Sequence, residues 1–166
     1  MARLLTGEWY GSVTYSYLSD DGQSRQTDKF YADMKFFQYA NTRDALSGEG
    51  VETDYKYNDD GSVADQQTLE FKWYIDDNYD IYIKYKNSGA TFVMDYGSSQ
   101  AGFHLGYEKG HDKDTFWGYM IGTGSSKGDV IYIDLERVNQ TSQAKAFGSS
   151  KTSEKTVKSS SSFGKG

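Results

Sequence analysis

Histidine is the side chain most often used for acid–base chemistry and metal binding near neutral pH. The chain contains two, His104 and His111. His104 alternates with apolar neighbours in Phe103-His104-Leu105, which predicts a position on the surface or rim. His111 lies in a charged turn from Gly110 to Asp114, and no Ser-His-Asp arrangement follows from the sequence. Both histidines are therefore predicted to be structural or solvated, and the protein is predicted not to be an enzyme.

Paired aspartates recur at Asp20-Asp21, Asp59-Asp60 and Asp76-Asp77. Such pairs can bind Ca²⁺ or supply the two acids of a glycosidase. Each pair, however, lies where a hairpin turn is expected, and Asp is common in turns because it caps the backbone locally. The stretch 58–65 also lacks the ligand spacing and terminal Glu of an EF-hand loop. The pairs are therefore predicted to be turns, and no metal and no cofactor is expected.

Tyrosine is unusually abundant, with 15 Tyr beside 9 Phe and 3 Trp. A tyrosine ring offers a flat apolar face and a hydroxyl, which suits sugars, aromatic ligands and protein partners. Strand propensity and cross-strand pairing explain the same abundance without any ligand. Tyr31, Tyr74 and Tyr82 fall on the polar faces of their segments, so they are predicted to point outward.

An alternation of period two runs through most of the first 138 residues and predicts the elements that carry these side chains. The predicted strands are 9–17, 30–36, 49–57, 69–75, 79–85, 91–96, 103–108, 115–121 and 129–138. The clearest hairpin joins 69–75 to 79–85 around the turn at 76–78. In the strand 49–57, the side chains placed together on one face are Val51, Thr53, Tyr55 and Tyr57.

Tight turns between consecutive strands indicate an all-β fold, an antiparallel up-and-down β-barrel of about 8–10 strands. Closure into a barrel removes exposed strand edges, and a β-sandwich is the alternative. This domain is predicted to span residues 1–138. Residues 139–166 are mostly Ser, Lys, Thr and Gly, which predicts a flexible tail with a weak helix near 143–147.

The charge of the chain limits its partners. The 166 residues carry −6 in total, and residues 139–166 carry +4 from five Lys and one Glu, so residues 1–138 carry −10. An acidic body argues against nucleic acid and anionic membranes as partners. The chain has no Cys, which excludes disulfides and thiolate metal sites. No run of residues reaches transmembrane length.

Gly7-Glu8-Trp9, at the start of the first strand, resembles the Gly-x-Trp signature of lipocalins and related calycin barrels. The resemblance implies that Trp9 closes the barrel floor and stacks on an Arg from the end of the last strand, here Arg137. Softer likenesses, Gly48-x-Gly50 among them, are similar to uncharacterised secreted lipoproteins of gut Bacteroidetes. They imply an exported protein, periplasmic or at the cell surface, whose leader and anchoring Cys are missing from this sequence. A cytoplasmic protein is the alternative.

The function expected from these features is non-enzymatic binding of a small apolar or aromatic ligand in the barrel mouth. Inward-facing aromatic residues are predicted to line that site: Tyr17, Phe36, Phe71, Trp73, Tyr85 and Phe103. The alternative is a surface interaction module with a packed core that binds glycan or protein through exposed tyrosines. The sequence leaves the oligomeric state open.

Overall fold

Alternating side chains with turn residues between them form nine strands in the part of the chain that the structure describes. A computed structural model describes residues 1–39 and 46–138, together with Phe163. The strands are β1 Gly7–Leu18, β2 Arg25–Gln38, β3 Ser47–Tyr57, β4 Val63–Ile75, β5 Ile81–Tyr85, β6 Thr91–Met94, β7 Phe103–Gly106, β8 Thr115–Thr123 and β9 Val130–Arg137. A short helix, α1 Ala2–Leu5, precedes β1, and a 3-10 turn, Gly124–Ser126, precedes β9.

Eight of these strands close into an antiparallel barrel. The strand order is β6-β5-β4-β3-β2-β1-β9-β8-β7, and β6 also pairs with β8. One edge of β8 pairs with β9, and the other edge is shared by two strands, because residues 115–118 pair with β7 and residues 121–123 pair with β6. The predicted up-and-down barrel is therefore confirmed, and the sheet does not divide into a sandwich. No helix in the described ranges is long and apolar enough to cross a membrane.

Three features differ from the sequence-based prediction or lie beyond it. Helix α1 was not expected, and its last turn contacts the barrel because the Trp9 indole donates a hydrogen bond to the carbonyl of Leu5. Strand β3 turns its Val51 and Tyr55 side outward and points Glu52 and Asp54 inward. Residues 40–45 and the predicted tail at 139–166, with the weak helix expected near 143–147, lie outside the described residues except for Phe163.

Two glycines of β3 make room for the large rings of β4. In the strand register Gly48 lies opposite Trp73 and Gly50 lies opposite Phe71. A Cβ added at Gly50 would lie 2.1 Å from the Phe71 ring and 2.6 Å from the carbonyl oxygen of Lys35. Glycine at this position therefore allows an inward aromatic ring to pack directly over the neighbouring backbone.

Gly50→Ala is expected to lower the free energy of unfolding by about 1–3 kcal/mol, because the added methyl group overpacks a fully buried ring. Urea unfolding followed by tryptophan fluorescence measures the change. Gly97→Ala is the matched control, since its added Cβ meets no atom closer than 3.9 Å. Equal stability of the two variants would contradict this account of the close packing.

Candidate functional site

The first turn of the chain and the end of β9 close one end of the barrel. Arg137 is 5 % exposed, and the central carbon of its guanidinium lies 4.2 Å from the centroid of the Trp9 ring. This is the stacking geometry of a cation–π contact. The contact between Trp9 and Arg137 implied by the resemblance is therefore present, although the two residues are separated by 127 others.

The guanidinium also ties α1 to the barrel. Arg137 donates from Nη1 to the carbonyl of Thr6 at 3.0 Å and from Nη2 to the carbonyl of Leu4 at 2.5 Å. Its Nε donates to the Asp114 carboxylate at 3.1 Å. One side chain thus caps the end of α1, pairs with an acid and covers the Trp9 ring.

Five large aromatic side chains fill this end of the barrel, and we refer to them as the floor. They are Trp9, Phe36, Phe71, Trp73 and Phe116. Phe36 is edge-on to Phe71 at 5.1 Å, to Phe116 at 6.1 Å and to Trp73 at 6.3 Å between ring centroids. The Trp73 indole donates to the carbonyls of Phe37 and Glu49, each at 3.1 Å. Each ring of the floor is at most 2 % exposed.

A cavity of about 250 Å³ lies above the floor, in the half of the barrel toward the β1–β2, β3–β4, β5–β6 and β8–β9 turns. Its apolar lining consists of Val13, Phe30, Met34, Leu69, Ala90, Phe92, Met120, Ile131, Ile133 and Phe163. Its polar lining consists of Tyr15, Glu52, Asp54, Gln67, Glu70, Tyr85, Asn87 and Ser88. The mouth is hollow because most of these side chains are smaller than the rings of the floor.

The cavity lining differs from the set predicted from the sequence. Of the six predicted residues, Tyr85 lines the cavity, whereas Phe36, Phe71 and Trp73 belong to the floor. Tyr17 is half-buried near the end of β1, edge-on to Tyr15 at 5.3 Å.

Phe103, the last of the six, lies on β7 outside the closed ring of eight strands. It packs against Phe116 at 6.3 Å and Tyr96 at 5.9 Å between ring centroids. On β1, β2, β4 and β5 the sequence alternation identified the inward face, but it gave no depth along the barrel axis.

Two carboxyl groups project into the cavity from β3. Glu52 is 5 % exposed and accepts a hydrogen bond from the Tyr85 hydroxyl at 2.6 Å. Asp54 is 1 % exposed, and its Oδ2 accepts a hydrogen bond from the Gln67 amide at 2.8 Å. Burial, and then the neighbouring Glu52 carboxylate, raise the pKa of Asp54 well above its usual range. Burial and the same carboxylate raise the pKa of Tyr85.

The mouth also contains an ion pair and an aromatic ring from the far end of the chain. Lys56 pairs with Asp28 at 2.7 Å. The Lys56 ammonium lies 5.4 Å from the centroid of the Phe163 ring, which is edge-on to Phe30 at 5.4 Å. Phe163 is 1 % exposed. The mouth therefore accommodates an apolar ring next to a charged pair.

The predicted turns at the aspartate pairs are present. Asp21 Oδ1 accepts from the backbone N–H of Gln23 at 2.9 Å, and Asp60 Oδ1 accepts from that of Ser62 at the same distance. Hydrogen bonds from the Ser19 and Ser62 hydroxyls, and then these backbone N–H groups, hold the pKa of both exposed carboxyls below the usual range. Asp76 caps its turn in the same way, through Asn78. In residues 1–39 and 46–138, no three His, Asp or Glu side chains converge as metal ligands.

One serine has the sequence context of a hydrolase nucleophile. Gly124-Ser125-Ser126-Lys127-Gly128 has the letters Gly-x-Ser-x-Gly. It spans a 3-10 turn between two strands, whereas a nucleophile elbow joins a strand to a helix. His104 lies toward the other end of β8, where its ring stacks on Trp117 at 5.4 Å, and exposed His111 lies near Glu108. This serine has no histidine beside it in the described structure.

The outer surface carries the tyrosines predicted to face outward. Tyr74 is 51 % exposed and stacks on Tyr82, with centroids 4.6 Å apart and planes within 6°. On strands β1 to β3, Tyr31 stacks on Tyr10 and contacts Tyr57. The Tyr10 and Tyr57 hydroxyls are hydrogen-bonded at 2.8 Å. These rings pair across strands, as strand-propensity arguments expect.

Comparisons with models of protein families, with curated proteins and with solved structures found no match.

Proposed function

We propose that the protein is a non-enzymatic binding protein that takes one small apolar or aromatic ligand into the mouth of its barrel. The observation that carries this proposal is the cavity of about 250 Å³ above the packed floor. Small eight-stranded barrels either fill their interior with side chains or hold one small ligand. In this barrel, side chains fill the closed end, and the open end has space for one small ligand.

The composition of the cavity wall supports the proposal. Ligand pockets are mostly apolar with a few convergent polar groups, and this wall has Phe30, Phe92 and Ile131 beside Glu52 and Asp54. The buried Phe163 ring is direct support, because it is an aromatic group already seated against the mouth. A free aromatic ligand would use the same apolar surface.

The four methionines of the chain provide a direct test. Met34 and Met120 line the cavity, whereas Met94 is buried away from its lining and Met1 is 36 % exposed. With ¹³C-methyl-labelled methionine, indole is expected to shift the Met34 and Met120 methyl resonances saturably. The Met94 and Met1 resonances are expected to stay in place.

Ala90→Trp places a large ring in the cavity wall and is expected to weaken indole binding more than about tenfold, because it fills the space that the ligand needs. Tyr74→Ser on the outer surface is the control and should bind as the native protein does. Unshifted Met34 and Met120 methyls, or shifts of equal size at Met1, would refute the proposal.

A second candidate function is binding of a glycan or protein partner by the outer tyrosines. The specific observation in its favour is the parallel-stacked Tyr74–Tyr82 pair, whose exposed outer face could stack on a sugar ring. The two candidates separate cleanly. Loss of partner binding in Tyr74→Ser and Tyr82→Ser variants that keep native indole binding would favour the surface function, whereas Ala90→Trp would leave it intact.

The Trp9–Arg137 stack also supports a place for this chain among lipocalin-like barrels, since the antiparallel eight-stranded barrel is consistent with that fold. Export as a lipoprotein stays a prediction from the resemblance.

A further inference from the structure

The inward face of β3 carries two acidic side chains, unlike the inward faces of the strands beside it. Glu52 and Asp54, two residues apart, project to the same side, and both are nearly inaccessible to solvent. Side chains such as Met34 and Leu69 line the same cavity. A buried carboxylate is unfavourable unless a hydrogen-bond donor or a cation compensates it, so two of them in an apolar cavity require an explanation.

The donors around this pair leave one oxygen without a partner. Neutral donors serve Glu52 Oε1 and Asp54 Oδ2, through Tyr85 and Gln67 respectively. Asp54 Oδ1 is enclosed and has no hydrogen-bond partner among the described residues. Lys56, the nearby cation, forms its ion pair with Asp28. Among the described residues, the acid pair therefore has more acceptor capacity than the surrounding donors satisfy, and the two donors that serve it are uncharged.

We propose that the natural ligand carries a protonated amine, which donates to Asp54 Oδ1 and Glu52 while its apolar part occupies the rest of the cavity. This inference rests on the proposed function and names the ligand class for that site. An ammonium supplies what the site lacks, namely N–H donors and a positive charge. The rings of Tyr85 and Phe92, edge-on at 6.0 Å, add aromatic surface beside it.

The cavity selects the size of the ligand. A cavity of about 150 Å³ in another protein accommodates benzene, so about 250 Å³ here fits one aromatic ring with a short chain. Aryl-alkyl amines have this shape. In the empty site Asp54 retains its proton to higher pH than an ordinary aspartate, because burial, then Glu52 and lastly Asp28 raise its pKa. An incoming ammonium takes the place of that proton, which leaves to solvent.

The test compares 2-phenylethylamine with 2-phenylethanol, which has the same shape and no charge. At pH 8 the amine is still a cation, like a lysine side chain. Calorimetry with the whole chain is expected to show at least about tenfold tighter binding of the amine, as for a hydrogen bond to a charged group. The Met34 and Met120 methyl resonances report whether each compound enters the cavity.

Glu52→Gln/Asp54→Asn is expected to bring the two affinities to within about twofold of each other by removing the charge while keeping the shape. If the double variant does not fold, Asp54→Asn alone replaces it. This single variant is expected to lower the preference for the amine over the alcohol at least about fivefold. Asp59→Asn, in an exposed turn, makes the same net-charge change as Asp54→Asn and should keep the full preference.

The outcomes separate this inference from the proposed function. If 2-phenylethanol enters the cavity and the amine binds no more tightly, the amine assignment is wrong and the binding function stands. Persistence of the preference in the acid-pair variants would also overturn the assignment. If neither compound shifts Met34 or Met120 while indole does, the amine inference fails alone. If indole fails as well, both proposals fall.

Discussion

Arg137→Ala is expected to lower the free energy of unfolding by about 3–5 kcal/mol, the largest effect of any substitution considered for this barrel. The alanine leaves the half-buried Asp114 carboxylate without its cation. It also removes the donors to the carbonyls of Thr6 and Leu4 and uncovers the Trp9 ring. Urea unfolding followed by Trp fluorescence measures the loss, with circular dichroism to establish that the variant still forms a sheet.

Two further variants identify which part of Arg137 matters. Arg25→Ala is the matched control, because exposed Arg25 also makes side-chain and backbone hydrogen bonds, to Ser16 and Gly128, yet is expected to cost less than about 1 kcal/mol. Arg137→Lys keeps the charge but lacks the planar fork, so it should recover less than half of the loss. If the Arg137→Ala variant had the same free energy of unfolding as the native protein, the packing of the floor alone would be enough to close this end of the barrel.

The strands and the closed end were accessible to sequence reasoning for different reasons. Period-two alternation identified the inward face of β4, where Phe71 and Trp73 are indeed buried. The pairing of Trp9 with Arg137 came from resemblance, since no local pattern connects residues so far apart. Hairpin turns such as Asp60 to Ser62 were identified because their chemistry is local.

The candidate site was harder to predict because it depends on which residues face each other across the barrel. In β3 the sequence grouped Val51 and Tyr55 on one face, and the barrel turns that face outward. The face that does point inward carries Gly48, Gly50, Glu52 and Asp54. This set can be identified as core-facing only when the rings of β4 are known to lie over the glycines. Two acids at alternate positions after two alternating glycines were the available signal.

The tail limited the prediction in another way. Phe163 belongs to a segment whose composition predicts a flexible tail, because a few apolar residues among many Ser and Lys do not form a core of their own. Its ring is nevertheless buried against Phe30, in a surface that the barrel provides. The composition of a segment cannot predict that one of its side chains is buried on an apolar surface that another part of the chain provides.

The acid pair connects stability to binding, and a pH titration of Asp54→Asn makes that connection measurable. A carboxyl whose folded-state pKa is raised binds more protons in the folded than in the unfolded chain, so its contribution to stability falls as pH rises above the unfolded value. Asparagine removes this contribution. We therefore expect Asp54→Asn to be more stable than the native protein by about 1–3 kcal/mol at pH 8, and the difference to shrink toward pH 4.

The same variant keeps the local hydrogen bonds, which makes the comparison clean. Its amide oxygen can accept from Gln67 and its N–H₂ can donate to Glu52, while Asp28 and Tyr85 still lie near the position. Shifts elsewhere, such as the lowered pKa of exposed Asp60, occur in both proteins and cancel in the difference. Asp59→Asn is the control and should change the free energy of unfolding only slightly, since that side chain lies in an exposed turn.

Urea unfolding between pH 4 and pH 8 measures the stability difference between Asp54→Asn and the native protein as a function of pH. A stability gain that grows with pH means that the native protein retains a destabilising carboxylate where its ligand binds, as expected when a residue serves binding at a cost in stability. A variant less stable than the native protein at pH 8, or a gain that persists unchanged at pH 4, would show that the Asp54 charge is already compensated. In that case the cavity would have no electrostatic reason to prefer a cationic ligand.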